Sequence, residues 1–267
     1  MNMDVSDFIR AANDRTIVGL GLELHNSIPN GHPHAPFTYS LMKQHGDLTY
    51  RGGVSAANDV MSLGLHVATH IDALGHISKD GQVFGGLSID EIRGDPRGDG
   101  LRQLGVDSYA PFVQRGVLLD IARYQGVEEV DPERGIDGEL LSATSEALGV
   151  SVQPGDAVLV RTGWEHRWPD PQRYQESPAP GVDLDGINWL IAQGTTVVGS
   201  DTYGFEQMPA KGMPVHVACL VDHGVPIIEA LALTELAELK PKEFLFMASP
   251  LKIRGATGSP IRPVALV

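Results

Sequence analysis

HVATHIDALGH, residues 66–76, places three histidines and one aspartate within eleven positions. His66, His70, Asp72 and His76 are separated by four, two and four residues, so every gap is even. On an extended chain, side chains two apart share a face. Val67, Thr69 and Ile71 then face the other way, and β-branched residues suit a strand. On a helix, at about 100° per residue, the four polar groups spread over an arc of roughly 160°. An extended or turning backbone therefore groups them better. A straight strand still holds the Cα atoms of His66 and His70 about 13 Å apart, whereas such ligands end about 2.0–2.1 Å from one ion. The spacing thus predicts a chain that curls around a shared point, with the small Ala68 and Gly75 allowing close backbone approach.

Imidazole nitrogens combined with a carboxylate oxygen suit Zn²⁺, Mn²⁺ or Fe²⁺. Two histidines and one aspartate leave coordination positions open, as a catalytic site needs and a closed structural site does not. The bland alternative is a histidine-rich surface turn.

Outward from this stretch, apolar β-branched runs predict buried strands: GVLLDIA (116–122), DAVLVRT (156–162), TTVVGSD (195–201), GVPIIEA (224–230) and EFLFMAS (243–249). Helical spacing lies between them. DGELLSATSEALG (137–149) stops at Gly149, and DLDGINWLIAQG (183–194) has Asp183 or Asp185 as its N-cap and Gly194 as its stop. LTELAELKP (233–241) has Thr234 as a cap candidate and ends before Pro241. The first half is richer in loops, notably HNSIPNGHPHAPF (25–37). Without a linker or a repeat, this reads as one α/β domain with a mixed sheet.

Composition narrows the function. A net charge of −14 without a basic run argues against nucleic acid as a partner. No apolar run is long enough to span a bilayer, so no membrane partner is expected. The N-terminal stretch lacks a basic-then-apolar signal pattern. The single cysteine, Cys219, excludes an internal disulfide and fits a reducing cytoplasm. Set between apolar neighbours, Cys219 reads as a small buried hydrophobe rather than a nucleophile. No G-x-S-x-G elbow is present for a serine hydrolase.

The stretch 66–76 resembles the HxGTHxDxPxH signature of the cyclase family of metal-dependent hydrolases, which includes bacterial kynurenine formamidases and isatin hydrolases. His66, Thr69, His70, Asp72 and His76 are in register, while Ala68 stands for the motif glycine and Leu74 for the motif proline. ELHNSIPNGHP (23–33), VRTGW (160–164), GSDTYGFE (199–206) and VHVACLVDHGVPIIEAL (215–231) resemble further family blocks in the expected order. The resemblance covers most of the chain from about residue 16, leaving 1–15 as an N-terminal extension before a 16–267 domain.

The resemblance implies a swivelling β/β/α-type fold and a hydrolase of amide or lactam bonds acting through metal-activated water. It implies His66, His70 and Asp72 as metal ligands and His76 as the general acid/base. In the formamidases it implies a second ion held by the aspartate with His216 and Glu229. In the isatin hydrolases it implies a single Mn²⁺ on the first triad. One or two ions of Zn²⁺ or Mn²⁺ per subunit, a small-molecule substrate and a homodimer or homotetramer follow. By themselves, His216 reads as a core histidine and Glu229 as a carboxylate at a helix N-terminus. Phe37 and Trp164 are candidate substrate-binding walls. Asp201 and Glu206 are candidates to orient ligand histidines, with surface solvation the alternative for Glu206. His25, His32, His34 and His45 read by default as exposed loop histidines, with added metal ligands or pocket lining the alternative. A lactone hydrolase, a cyclase/dehydratase, or a metal-binding member without catalysis are the competing functions.

Overall fold

The five apolar runs form β5 (Phe112–Asp120), β6 (Ala157–Arg161), β7 (Val197–Ser200), β8 (Ile227–Glu229) and β9 (Phe244–Ala248). With β1 (Ile17–Gly19), β4 (His70–Asp72), β10 (Gly258–Pro260) and β11 (Val264–Leu266) they build a nine-stranded sheet. Its order is β1-β11-β9-β5-β6-β7-β8-β4-β10. The four strands β5 to β8 run parallel, and all other neighbours are antiparallel. β2 (Thr38–Lys43) and β3 (Asn58–Ser62) form a separate two-stranded ribbon. This computed structural model describes residues 4–29, 34–95 and 97–267, so His32 lies outside the described residues.

The central stretches of the parallel strands, Val117–Leu119, Ala157–Val160, Val197–Val198 and Ile227–Ile228, are apolar because both of their faces are covered. Along β6, Val158 and Val160 join one core with the helices Gly138–Leu148 and Leu184–Ala192, while Ala157 and Leu159 join a second core on the opposite face. That second core unites Val18 of β1 with Ile71 of β4, from nearly opposite ends of the strand order. The sheet therefore curls back on itself, and a Gly21–Leu231 bridge marks the closure. The result is a single α/β domain with a large mixed, curled sheet.

Local chemistry sets the helix ends. Asp137 accepts from Leu140 N at the start of Gly138–Leu148, and Gly149 ends that helix in the left-handed region at φ 61°. Asp183, not Asp185, caps the helix Leu184–Ala192; Asp185 instead accepts from Gly138 N at 2.9 Å and ties the two helices together. Thr234 is the first residue of the helix Thr234–Leu239 rather than its cap. Glu165 does the capping from a distance, accepting from Leu233 N, Thr234 N and the Thr234 hydroxyl. Within the expected N-terminal extension, Val5–Asn13 is helical and capped by Asp4. Among the described residues no helix is long and apolar enough to cross a membrane.

Candidate metal centre

The extended reading of residues 66–76 holds for only three of them. β4 spans His70–Asp72, flanked by β8, where His70 pairs Glu229, and by β10, where Asp72 pairs Gly258. The turn falls at Ala68, which sits in the left-handed region at φ 57°. This reversal folds His66 back until its Nδ1 lies 2.7 Å from Asp72 Oδ1. Gly258 makes room, since a Cβ there would come within 2.7 Å of His66 Cε1. A second turn, closed by His76 N donating to Ala73 O, stacks the His76 ring on His66 at 4.0 Å between centroids. Ile71 faces the core as expected, but the turn swings Val67 to the cavity side.

The partners distant in sequence converge on the same point. Glu229 ends β8, and His216 lies in the helical run 214–223 that precedes it. His216 Nε2 is 3.1 Å from Glu229 Oε1 and 3.7 Å from Asp72 Oδ2. His70 Nε2 lies between the two carboxylates, 3.4 Å from Asp72 and 3.5 Å from Glu229. Two compact donor groups result, His66–Asp72–His76 and Asp72–His216–Glu229, each with donor atoms within 4.8 Å of one another. Asp72 belongs to both. The first group contains His76, and His70 stands beside the second.

These donors suit a divalent cation. Asp72 and Glu229 are buried, and no described Lys or Arg lines the cavity to balance them. Metal-binding histidines usually anchor the second ring nitrogen on a carboxylate or carbonyl. Two rings here do so. His70 Nδ1 lies 2.8 Å from Ala68 O, and His216 Nδ1 hydrogen-bonds Glu206, leaving both Nε2 atoms aimed at the carboxylates. Burial alone would lower the His216 pKa, but Glu206 and Glu229 outweigh it and push it up to about 10. Burial opposes ionisation of Asp72, yet hydrogen bonds from His66 and His70 hold its carboxyl well below the usual range. An ion would take the place of those ring protons. His76 differs. Burial pushes it down to about 4, and among the described residues no hydrogen bond fixes its ring. It is therefore a neutral imidazole at pH 7.

The cavity in front of these groups measures about 570 Å³. Trp168, Tyr174 and Tyr203 form its aromatic wall, and His34 enters it 5.4 Å from the His66 ring. Trp164 and Phe37, expected as walls, lie one layer behind in the core. Trp164 turns away because its Nε1 donates to Tyr174 O at 2.8 Å. Trp168 takes the wall position, which its polar surroundings in sequence concealed. Glu206 is buried rather than solvated, and it also accepts from the His216 and Val215 amides. Asp201 orients no histidine; it accepts from the Thr162 and Gly163 amides and the Thr162 hydroxyl. Cys219 is fully buried, and burial pushes its thiol up, so it packs as a hydrophobe. His25 and His45 stay in exposed segments away from the cavity.

A curled mixed sheet with a histidine–carboxylate cluster at the junction of β4 and β8 defines an α/β protein with candidate metal-binding residues. The "Putative cyclase" family model matches residues 18–207, and the chain belongs to that family. It is 27% identical over 204 residues to kynurenine formamidase of Salinibacter ruber, covering 76% of this chain and 77% of that protein. It is 28% identical over 214 residues to isatin hydrolase of Roseibium aggregatum, covering 78% and 73%. A crystal structure described as a novel cyclase superimposes with a TM-score of 0.87 at 27% identity, covering 97% of this chain and 89% of that one.

Proposed function

We propose that this chain is a metal-dependent hydrolase that cleaves a non-peptide amide or lactam C–N bond. The observation that carries the reading is Asp72, shared by a buried and a part-buried donor group in a cavity whose described lining has no Lys or Arg. The relatives support it, since a formamidase and an isatin hydrolase both open an acyl–nitrogen bond.

His66, His70 and Asp72 would hold one ion, Zn²⁺ or Mn²⁺, and Asp72 with His216 and Glu229 would hold a second where two bind. Such an ion lowers the pKa of water toward neutrality and polarises a carbonyl. His76, neutral at pH 7, accepts a proton from the attacking water and delivers it to the leaving nitrogen. Water's oxygen bonds to the carbonyl carbon, the carbon–nitrogen bond then breaks as the amine leaves with the proton carried by His76, and the remaining water proton is released as the carboxylic acid ionises to a carboxylate. Glu206 holds His216 in the tautomer that aims Nε2 at the centre.

The aromatic wall suits a flat ring, and no described Lys or Arg lines the cavity to receive an amino-acid carboxylate. A compact cyclic amide such as isatin fits these conditions better than N-formylkynurenine does. We read the protein as a cytoplasmic homo-oligomer of two or four copies. The test is a panel of isatin, N-formylkynurenine, cyclic imides and lactones with metal-loaded protein. Turnover of a cyclic amide above the others supports the reading. Turnover of lactones alone would move it to an esterase chemistry, and none at full metal occupancy would leave a binding protein.

A further inference from the structure

Of the histidines that face Asp72 and Glu229, His66 is turned the other way round. His70 and His216 aim Nε2 at the carboxylates, whereas His66 aims Nδ1, which lies 2.7 Å from Asp72 Oδ1. Its Nε2 lies 3.0 Å from the hydroxyl oxygen of Thr257, a residue 191 positions further along the chain. The sheet brings the two together. Thr257 directly precedes β10, where Gly258 pairs Asp72, and the Thr257 carbonyl accepts from Ala73 N at 2.9 Å. The backbone on both sides of this contact is therefore fixed against β4. A Cβ at Gly258 would come within 3.0 Å of the same Nε2, so the glycine admits the ring and the threonine holds it.

We infer that Thr257 is a positioning residue of the metal centre: its hydroxyl holds His66 Nε2 so that Nδ1 faces the ion. A neutral imidazole carries one ring proton. With Nδ1 given to a metal, that proton sits on Nε2 and donates to Thr257 Oγ1. Without metal, Asp72 is held ionised and can only accept. His66 Nδ1–H then donates to Asp72, and the threonine hydroxyl donates to Nε2 instead. A carboxylate or a carbonyl in place of the hydroxyl could serve only one of these arrangements, because it cannot donate. The hydroxyl serves both, so the ring keeps one orientation while the ion is taken up or lost. His70 and His216 need no such partner, since Ala68 O and Glu206 accept from Nδ1 and leave Nε2 for the ion.

This inference rests on the metal reading above, and metal affinity tests it without reference to turnover. A cavity of about 300 Å³ lined by Gly75, His76 and Thr257 adjoins the contact. Truncation to alanine would let water replace the hydroxyl, so the informative variant is Thr257→Val, which puts a methyl group there. Competition against a chromophoric chelator should show Zn²⁺ bound about tenfold more weakly by Thr257→Val, the low end for loss of an orienting partner. Thr257→Ser keeps the hydroxyl and should bind like the wild type. A wild type that takes up neither Zn²⁺ nor Mn²⁺ would overturn the metal centre itself. Thr257→Val binding as tightly as wild type, or Thr257→Ser as weakly as Thr257→Val, would overturn the role of Thr257 alone. In case the valine variant misfolds, the wild type labelled with ¹⁵N-histidine and loaded with Zn²⁺ gives an independent answer. One metal-bound ring should carry its proton on Nε2, where His70 and His216 carry theirs on Nδ1. Protons on Nδ1 of every metal-bound ring would refute the assignment.

Discussion

Glu206 offers the sharpest test of how the centre is built. It is 2% exposed and accepts from three nitrogens: His216 Nδ1, the His216 amide at 3.2 Å and the Val215 amide at 3.4 Å. Removing the carboxylate that orients a ligating histidine typically weakens metal binding by about 10–100-fold, or about 1.4–2.7 kcal/mol. Glu206→Gln keeps one oxygen for His216 Nδ1 and the His216 amide, and loses the charge and the acceptor for the Val215 amide, so it should fall near tenfold. Glu206→Ala also strands two amides in the interior, at about 1–3 kcal/mol each, so its unfolding midpoint should drop as well. Competition against a chromophoric chelator reads the metal affinity, and guanidinium unfolding of the metal-free protein reads stability. The pH dependence gives a further handle. The carboxylates hold the metal-free His216 proton up to about pH 10, and the ion must displace it. Wild-type affinity should therefore climb from pH 7 toward about 10, and the climb should end at lower pH in Glu206→Gln. Affinities within twofold of wild type in both variants would refute the assignment of Glu206 to His216.

Three other outcomes follow from the geometry. His70→Ala should lose metal and activity together, whereas His76→Ala should keep its metal and lose kcat by about 10²–10⁴-fold; parallel metal loss would make His76 a ligand. Ala68→Gly relieves a left-handed alanine at φ 57°, with a net gain of roughly 0.5–1 kcal/mol in urea unfolding once glycine's extra freedom in the unfolded chain is counted. Burial raises Asp201 from 3.8 to about 6, so its folded state binds the proton more tightly. Its stabilisation is full below the unfolded pKa and should decline by on the order of 3 kcal/mol as pH rises through about 6. The unfolding free energy of Asp201→Asn, a mimic of the protonated side chain, should lack that decline.

Much of the centre is legible in the chain because four of its groups lie within eleven residues, at spacings that a single reversal can bring together. Where the reversal falls is less legible, since the left-handed residue is Ala68, where a glycine would have announced the turn. His216 and Glu229 were readable only through family resemblance, because β8 meets β4 only after the sheet curls. Glu206 follows a short apolar strand by several residues, and in the chain alone it stands open between orienting a ligand histidine and surface solvation; the helical run 214–223, which brings His216 onto it, decides. Trp164 and Trp168 are four residues apart in one polar stretch, and only the hydrogen bond from Trp164 to Tyr174 decides which one faces the cavity. The strands β5 to β8 were plain because their central, doubly covered stretches are apolar on both faces, and β9 because its residues are apolar even where one face is only half-buried. The ribbon β2–β3 carries ordinary strand residues, and nothing local reveals that it stands apart from the sheet.

The central claim is that this metal centre hydrolyses a C–N bond. The most direct measurement follows isatin ring opening by absorbance with metal-loaded protein, after chelation, and after restoring Zn²⁺ or Mn²⁺. The structure predicts turnover that disappears with the metal and returns with it. Turnover indifferent to chelation, or none with the metal fully bound, would contradict it.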